Sequence, residues 1–329
     1  MRRFLPLLLV LGCTTAQPLP PVVVGPAPGP ARAQRVVVVS VDGLRPDAIE
    51  KAGAEHLLKL IARGAYCAKA QTVRPSITHT SHASMLTGLD PKRHGVLWNR
   101  YRPGTIPHPT VFSVASGAGM GCAMYFAKDK FHYFADPKHV AWIYGPAPPE
   151  EVPEVGTEDE PILATETSSS ADRIGGAFAA AWPVRKAALT FVHLREVDSA
   201  GHRKGWMGPE YLAAVKFVDE AVGQIVAAIE QDGGFAGTAL IVTSDHGGLG
   251  RSHYWPFEPD KPEIVTIPWI CVGPGVAAGL SIDRVVRITD TAPTALAFLG
   301  LGAPEGIEGK LVAEVLGAPA PQRLSCRGP

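Results

Sequence analysis

The feature that most constrains this chain is a run of β-branched residues, RVVVVSV at Arg35–Val41, that ends on an aspartate, Asp42. A run that is apolar at successive positions, not alternate ones, suits a strand buried on both faces. Strand-like runs recur at 66–73, 120–126, 187–194, 237–244 and 267–273, with helix-like stretches at 46–63 and 209–231. In the longer helical stretch, Leu212, Val215, Phe217, Val218, Val222 and Ile225 fall on overlapping faces. The alternation predicts an α/β fold, with a mainly parallel central sheet flanked by helices on both faces and ligands at the carboxyl ends of the strands. The interval from about 100 to 170 is weakly periodic and predicts a small cap insertion, including a surface loop rich in proline and acid at 146–161.

Polar residues collect where the apolar runs end. Asp42 follows VVVVSV, and Asp245 and His246 follow ALIVTS. Asp198 and His202 lie just past LTFVHL, and His253 comes seven residues after His246. A lone aspartate at a strand end ordinarily forms a turn or caps a helix. Three strand ends delivering such residues to one sheet edge would instead crowd carboxylates that repel one another unless a cation sits among them. Mixed imidazole and carboxylate suits zinc, with manganese or iron as alternatives, better than magnesium or calcium alone. The segment PSITHTSHASMLTG at Pro75–Gly88 follows another strand-like run, with a helix expected to begin near Thr78. There the Thr78 hydroxyl either caps the helix or, beside metal ions, acts as a nucleophile.

Together these motifs resemble the type I phosphodiesterase/nucleotide pyrophosphatase family of the alkaline phosphatase superfamily, over Arg35 to about Leu311. Asp42-Gly43 ends the first strand as in that family, and Pro75, Thr78, His82 and Thr87-Gly88 match its nucleophile segment. Asp198 to His202 match Asp-Ser-x-Gly-His, and Ser244 to Gly247 match Ser-Asp-His-Gly. The resemblance implies a hydrolase of small phosphate esters that uses two zinc ions. It assigns Asp198, His202 and His253 to one ion, and Asp42, Asp245, His246 and the Thr78 oxygen to the other. It also implies in-line attack by Thr78 through a phosphothreonine, with Asn99, in HGVLWN, donating to a phosphoryl oxygen. His79, His82, His94 and Asp90 match no ligand position and read as structural or surface residues.

Two features depart from the family pattern. Only six residues separate His246 from His253, where nucleotide pyrophosphatases usually carry a long insertion. FAKDKF at Phe126–Phe131 places Lys128 and Lys130 where a substrate-facing wall is expected. On an extended segment that spacing turns both ammonium groups to one face, whereas an exposed turn would leave them in solvent. A substrate-facing pair favours a phosphomonoesterase or a phosphonoacetate-type hydrolase as the alternative to a phosphodiesterase. No Cys-x-Pro-x-Arg or Ser-x-Pro-x-Arg segment is present, which disfavours sulfatase chemistry. A catalytically silent binding lipoprotein is the remote alternative, and retention of Thr78 and every metal ligand opposes it.

Residues 1–16 read as an export signal: Arg2 and Arg3, then the apolar stretch Phe4–Gly12, too short to span a bilayer. Val10-Leu11-Gly12-Cys13 resembles a bacterial lipoprotein box, making Cys13 a candidate lipid site, with cleavage after Ala16 as the rival. Residues 17–34 form a proline-rich tether, 35–316 the catalytic domain and 317–329 a tail. The expected location is the bacterial cell envelope, periplasmic or lipid-anchored and facing outward, with membrane contact only through Cys13. Cys122 and Cys271 lie in strand-like runs and are expected as buried thiols. With 31 Lys+Arg against 31 Asp+Glu, bulk charge gives no grip on nucleic acid.

Overall fold

A computed structural model describes residues 22–149, 169–254 and 261–317. The expected export signal with Cys13, the start of the tether, most of the 146–161 loop and nearly all of the tail lie outside those residues.

Eight strands form one sheet: β1 (Arg35–Val41), β2 (Ala65–Gln71), β3 (Cys122–Tyr125), β4 (Trp142–Tyr144), β5 (Leu189–Leu194), β6 (Thr238–Thr243), β7 (Thr266–Val272) and β8 (Leu280–Ser281). Their order is β4-β3-β5-β1-β6-β7-β2-β8. The five strands from β4 to β6 run parallel, whereas β7 is antiparallel to both β6 and β2. β1 lies inside this parallel block, between β5 and β6, which explains its valine-rich sequence. Val36 and Val38 pack on one face with Met85, Leu86, Phe112 and Leu296. Val37, Val39 and Val41 pack on the other with Ile49, Leu57, Phe178 and Val222. Helices Thr78–Thr87, Val111–Gly117 and Thr291–Phe298 cover the first face, and Pro46–Lys51, Glu55–Arg63, Ala171–Arg185 and Pro209–Gln231 cover the second. The sheet is thus mostly parallel with helices on both sides, as the alternation of runs predicts.

The structure refines that picture in three places. The helix-like stretch 46–63 is two helices, Pro46–Lys51 and Glu55–Arg63. Asp219, from the long helix, satisfies the start of the second: its carboxylate accepts from His56 N at 2.9 Å and Leu57 N at 2.8 Å. The described part of the expected cap, residues 100–149, does not stand apart from the domain. It supplies β3 and β4, one edge of the sheet, and β4 is only three residues long, too short to register as an apolar run. Cys67, Cys122 and Cys271 are buried free thiols. No helix among the described residues is long and apolar enough to cross a membrane.

Register brings the polar strand ends together. Val41 of β1 pairs with Leu194, and Ser40 pairs with Thr243. Asp42, the helix carrying Asp198 and the turn carrying Asp245 therefore leave the sheet at one edge. Gly43 turns the chain sharply after Asp42, with φ +75°, and its carbonyl accepts from Trp206 Nε1 and Tyr211 OH, each at 2.9 Å. A Cβ on Gly43 would lie 2.8 Å from Asp198 Cα. Gly43→Ala is therefore expected to cost about 1–3 kcal/mol from the left-handed backbone and the backbone clash. Urea unfolding measures this, and an unchanged midpoint would show that the turn tolerates a side chain.

Candidate metal centre

Asp42, Asp198, Asp245, His246 and His253 are buried at this edge, and His202 is partly exposed beside them. The Asp198 Oδ1 atom is the hub. His202 Nε2 lies 3.3 Å from it, and His246 Nε2 and His253 Nε2 each lie 3.9 Å away. His246 Nε2 is also 3.3 Å from Asp42 Oδ1 and 3.3 Å from Asp245 Oδ2. Two groups result whose ligand atoms converge as a metal requires: Asp198, His202 and His253, and Asp42, Asp198 and His246. The first coincides with one expected ligand set. The second contains Asp42 and His246 of the other set and shares Asp198, with Asp245 adjoining through His246.

Each imidazole is anchored from behind. The Nδ1 atoms of His202, His246 and His253 donate to the carbonyls of Arg251, Gly247 and Ser76 at 3.1, 2.8 and 2.7 Å. That leaves each Nε2 facing the carboxylates, the arrangement found around metal-ligating histidines. The short connection between His246 and His253 is sufficient for this: Leu249 and Ser252 bridge across a tight turn, and the two rings stack with centroids 3.7 Å apart.

The innermost atoms are buried without a hydrogen-bond partner: Asp42 Oδ1, Asp198 Oδ1, Asp245 Oδ2 and His246 Nε2. Buried polar groups left unpaired are costly, and four aimed at one another fit a bound cation. The electrostatics agree. Burial and the Asp42 charge push the Asp245 carboxyl up to about 7. Burial would also raise Asp42, but the Lys128 ammonium and the hydrogen bond from His193 hold it well below the usual range. Burial would lower His246, but Asp245 and Asp42 push it up to about 9. Three crowded carboxylates need more positive charge than the side chains supply, and divalent ions suit that need.

Thr78 is the first residue of its helix, with Ile77 at the N-cap position and no side-chain cap. The helix-cap role for Thr78 is therefore not what the structure shows. Its carbonyl accepts from His82 Nδ1 at 2.7 Å, and that same nitrogen is 3.6 Å from Asp245 Oδ2. His82 Nε2 meets Ser40 Oγ at 2.8 Å, so both ring nitrogens have protein partners and the imidazole ties the Thr78 turn to β1. His94 is held between Ser84 Oγ and Val96 N, and His79 sits among Trp98, Tyr133 and Phe134. Asp90 pairs with Arg287 away from the cluster.

Lys128 and Lys130 are both buried, so they do not lie on an exposed turn. Nor is the segment extended throughout: Lys128 is extended, but Lys130 lies in a 3-10 turn, Asp129–Tyr133. Lys128 Nζ donates to Asp42 Oδ2 at 2.6 Å and to Asp198 Oδ2 at 2.8 Å. Lys130 Nζ donates to Asn99 Oδ1 at 2.6 Å, and the same oxygen accepts from His79 N at 3.2 Å. The Asn99 amide nitrogen is thereby the end left to donate elsewhere. Burial and the Lys128 charge bring Lys130 down to about 7. Sequence reasoning missed His193, inside β5, whose Nε2 is 3.0 Å from Asp42 Oδ2. The available signal was a histidine within an otherwise apolar strand.

Two buried His/Asp clusters at the carboxyl edge of such a sheet are consistent with a binuclear metal site, and so with a metal-dependent hydrolase. Residues 36–250 match the type I phosphodiesterase/nucleotide pyrophosphatase family, and the chain belongs to it, within the alkaline phosphatase superfamily. That match stops just short of His253, whose place rests on geometry. Murine ectonucleotide pyrophosphatase/phosphodiesterase 5, as an inactive form in complex with AMP, superposes with a TM-score of 0.65 at 15% identity, covering 86% of this chain and 98% of that one. The phosphonate monoester hydrolase of Silicibacter pomeroyi gives 0.61 at 17% identity, covering 88% and 78%. These likenesses show the alkaline phosphatase-like fold. Arylsulfatase K of Bos taurus is 33% identical over 100 residues, which span 30% of this chain and only 18% of that protein.

The hydrogen bonds of His82 make it a strut between β1 and the Thr78 turn. His82→Leu is expected to lower stability by about 1–3 kcal/mol in urea unfolding, as loss of buried hydrogen bonds does. The bound-metal content should be unchanged, and loss of one metal ion in this variant would make His82 a ligand.

Proposed function

We propose that this chain is a two-zinc phosphohydrolase that cleaves phosphate esters through a phosphothreonine on Thr78. The observation that carries the reading is the set of unpaired buried atoms at the cluster, ringed by imidazoles whose Nε2 atoms face inward. Asp198, His202 and His253 would hold one zinc ion, and Asp42, Asp245 and His246, with the Thr78 oxygen, the other. When bound, the ions supply Lewis acidity that lowers the pKa of the threonine hydroxyl and neutralises phosphoryl charge.

The rest falls to the chain's own residues. Thr78 opens a helix, so the backbone N–H groups and the positive end of the helix dipole face an anionic phosphoryl group. Its Oγ1 attacks phosphorus in line: the Oγ1–P bond forms as the bond to the leaving alcohol oxygen breaks, and water then cleaves the phosphothreonine. Asn99, its oxygen held by Lys130 and His79, turns its amide N–H groups towards a non-bridging oxygen. The family points to phosphodiesters and pyrophosphates as substrates. The buried Lys130 ammonium beside Asn99 favours a second reading, a phosphomonoesterase or a phosphonoacetate-type hydrolase, because a dianionic group gains more from an added cation.

Thr78→Ala is expected to fold and lose nearly all turnover, while Thr78→Ser retains a measurable part. Zinc-reconstituted protein assayed on aryl monoesters, aryl diesters and nucleotides measures both the loss and the preference. An active Thr78→Ala enzyme would refute the threonine mechanism. Lys130→Ala should depress monoester turnover about tenfold to a hundredfold more than diester turnover if the second reading holds. Equal losses would return the assignment to a phosphodiesterase.

A further inference from the structure

Asp42 and Asp198 divide their oxygens in the same way. The Oδ1 atom of each faces the histidines and has no hydrogen-bond partner. The Oδ2 atom of each points the opposite way and is held by one ammonium group, Lys128 Nζ, at 2.6 and 2.8 Å. Lys128 is buried, and the carboxylates it bridges come from different elements, one at the end of β1 and one on the helix Glu196–Lys204. A second donor acts on Asp42 alone. Ala127 N donates to His193 Nδ1 at 3.4 Å, which turns Nε2–H onto Asp42 Oδ2 at 3.0 Å. The His193 ring is fixed against Phe131, with centroids 4.1 Å apart.

We infer that Lys128 and His193 are positioning residues that clamp the two carboxylates so that each presents a single oxygen to metal, with Lys128 acting on both metal sites and His193 on one. The inference rests on the ligand sets proposed above. It gives Lys128 a different task from the substrate contact expected from its sequence position and leaves Lys130 as the lysine beside the phosphoryl group. Two like-charged carboxylates on separate elements drift apart once their shared cation is removed, and each becomes free to rotate. Outer partners of this kind typically change metal affinity when lost, even though they never touch the metal. The asymmetry is what distinguishes the clamp from a general contribution to stability. Lys128 touches Asp198, the residue common to both clusters, and Asp42; His193 touches only Asp42.

The test is stepwise zinc binding by full-length protein in competition with a chelator, which yields two dissociation constants. Lys128→Met is expected to weaken both by about tenfold to a hundredfold, and His193→Leu to weaken one by a similar factor and leave the other within about twofold. Lys128→Arg, which keeps the charge and can bridge two carboxylates, should restore most of the affinity at both sites. Should Lys128→Met not fold, Lys128→Gln is measured in the same way, with weakening at both sites supporting the clamp. Constants unchanged in the Lys128 variants, with only KM for substrate raised, would overturn it and return Lys128 to substrate binding. Equal weakening of both sites by His193→Leu would also overturn it. Wild-type protein that takes up no zinc would instead remove the ligand assignment beneath the inference, an outcome distinct from two normal sites that ignore Lys128.

Discussion

Repulsion among Asp42, Asp198 and Asp245, gathered out of water at the carboxyl edge of the sheet, is the constraint to which the surrounding structure responds. Uncompensated, charges buried in this way cost several kcal/mol each. One ammonium, from Lys128, lies between two of them, and His193 and backbone N–H groups contribute further donors. Burial and the neighbouring Asp42 charge still push the Asp245 carboxyl up. Crowded carboxylates ringed by inward-facing imidazoles are consistent with a binuclear metal site.

The parallel block of the sheet makes the convergence possible. Because β5, β1 and β6 run in the same direction and in register, three chain segments far apart in sequence emerge together. Gly43 then lets the backbone after Asp42 pass against Asp198 more closely than any side chain would permit. The Thr78 segment is linked to the same edge by His82, Ser40 and the contact of Ser76 with His253. Helix dipole, threonine and cluster are thus positioned by hydrogen bonds that use none of the cluster's inward-facing atoms.

Much of this was legible in the sequence because burial leaves a plain pattern. A strand covered on both faces reads as an apolar run, and a polar residue at its end is conspicuous, so Asp42, Asp198, Asp245 and His246 could be picked out. The direction of β7 was not legible, since an apolar run reads the same whichever way the strand points. β4 and β8 are too short to carry a pattern, so both outer strands went unread, and the β4 side was taken as part of a cap. His193 was hidden because it sits within a strand, where the side-chain alternation that turns it towards Asp42 cannot be separated from core packing. The spacing of Lys128 and Lys130 marked them as notable but did not reveal the turn after Phe126 that sends one ammonium to the carboxylates and the other to Asn99.

Zinc stoichiometry tests the binuclear centre most directly. Chelator-stripped protein reloaded with zinc and freed of excess is expected to hold about two ions per chain, the number a two-metal site requires. Asp198→Ala, which removes the carboxylate proposed to hold one ion with His202 and His253, should lose at least that ion, and Asp245→Ala should lose the other. Wild-type protein without zinc, or an Asp198→Ala variant that still holds two ions, would contradict the assignment of this edge as a binuclear metal site.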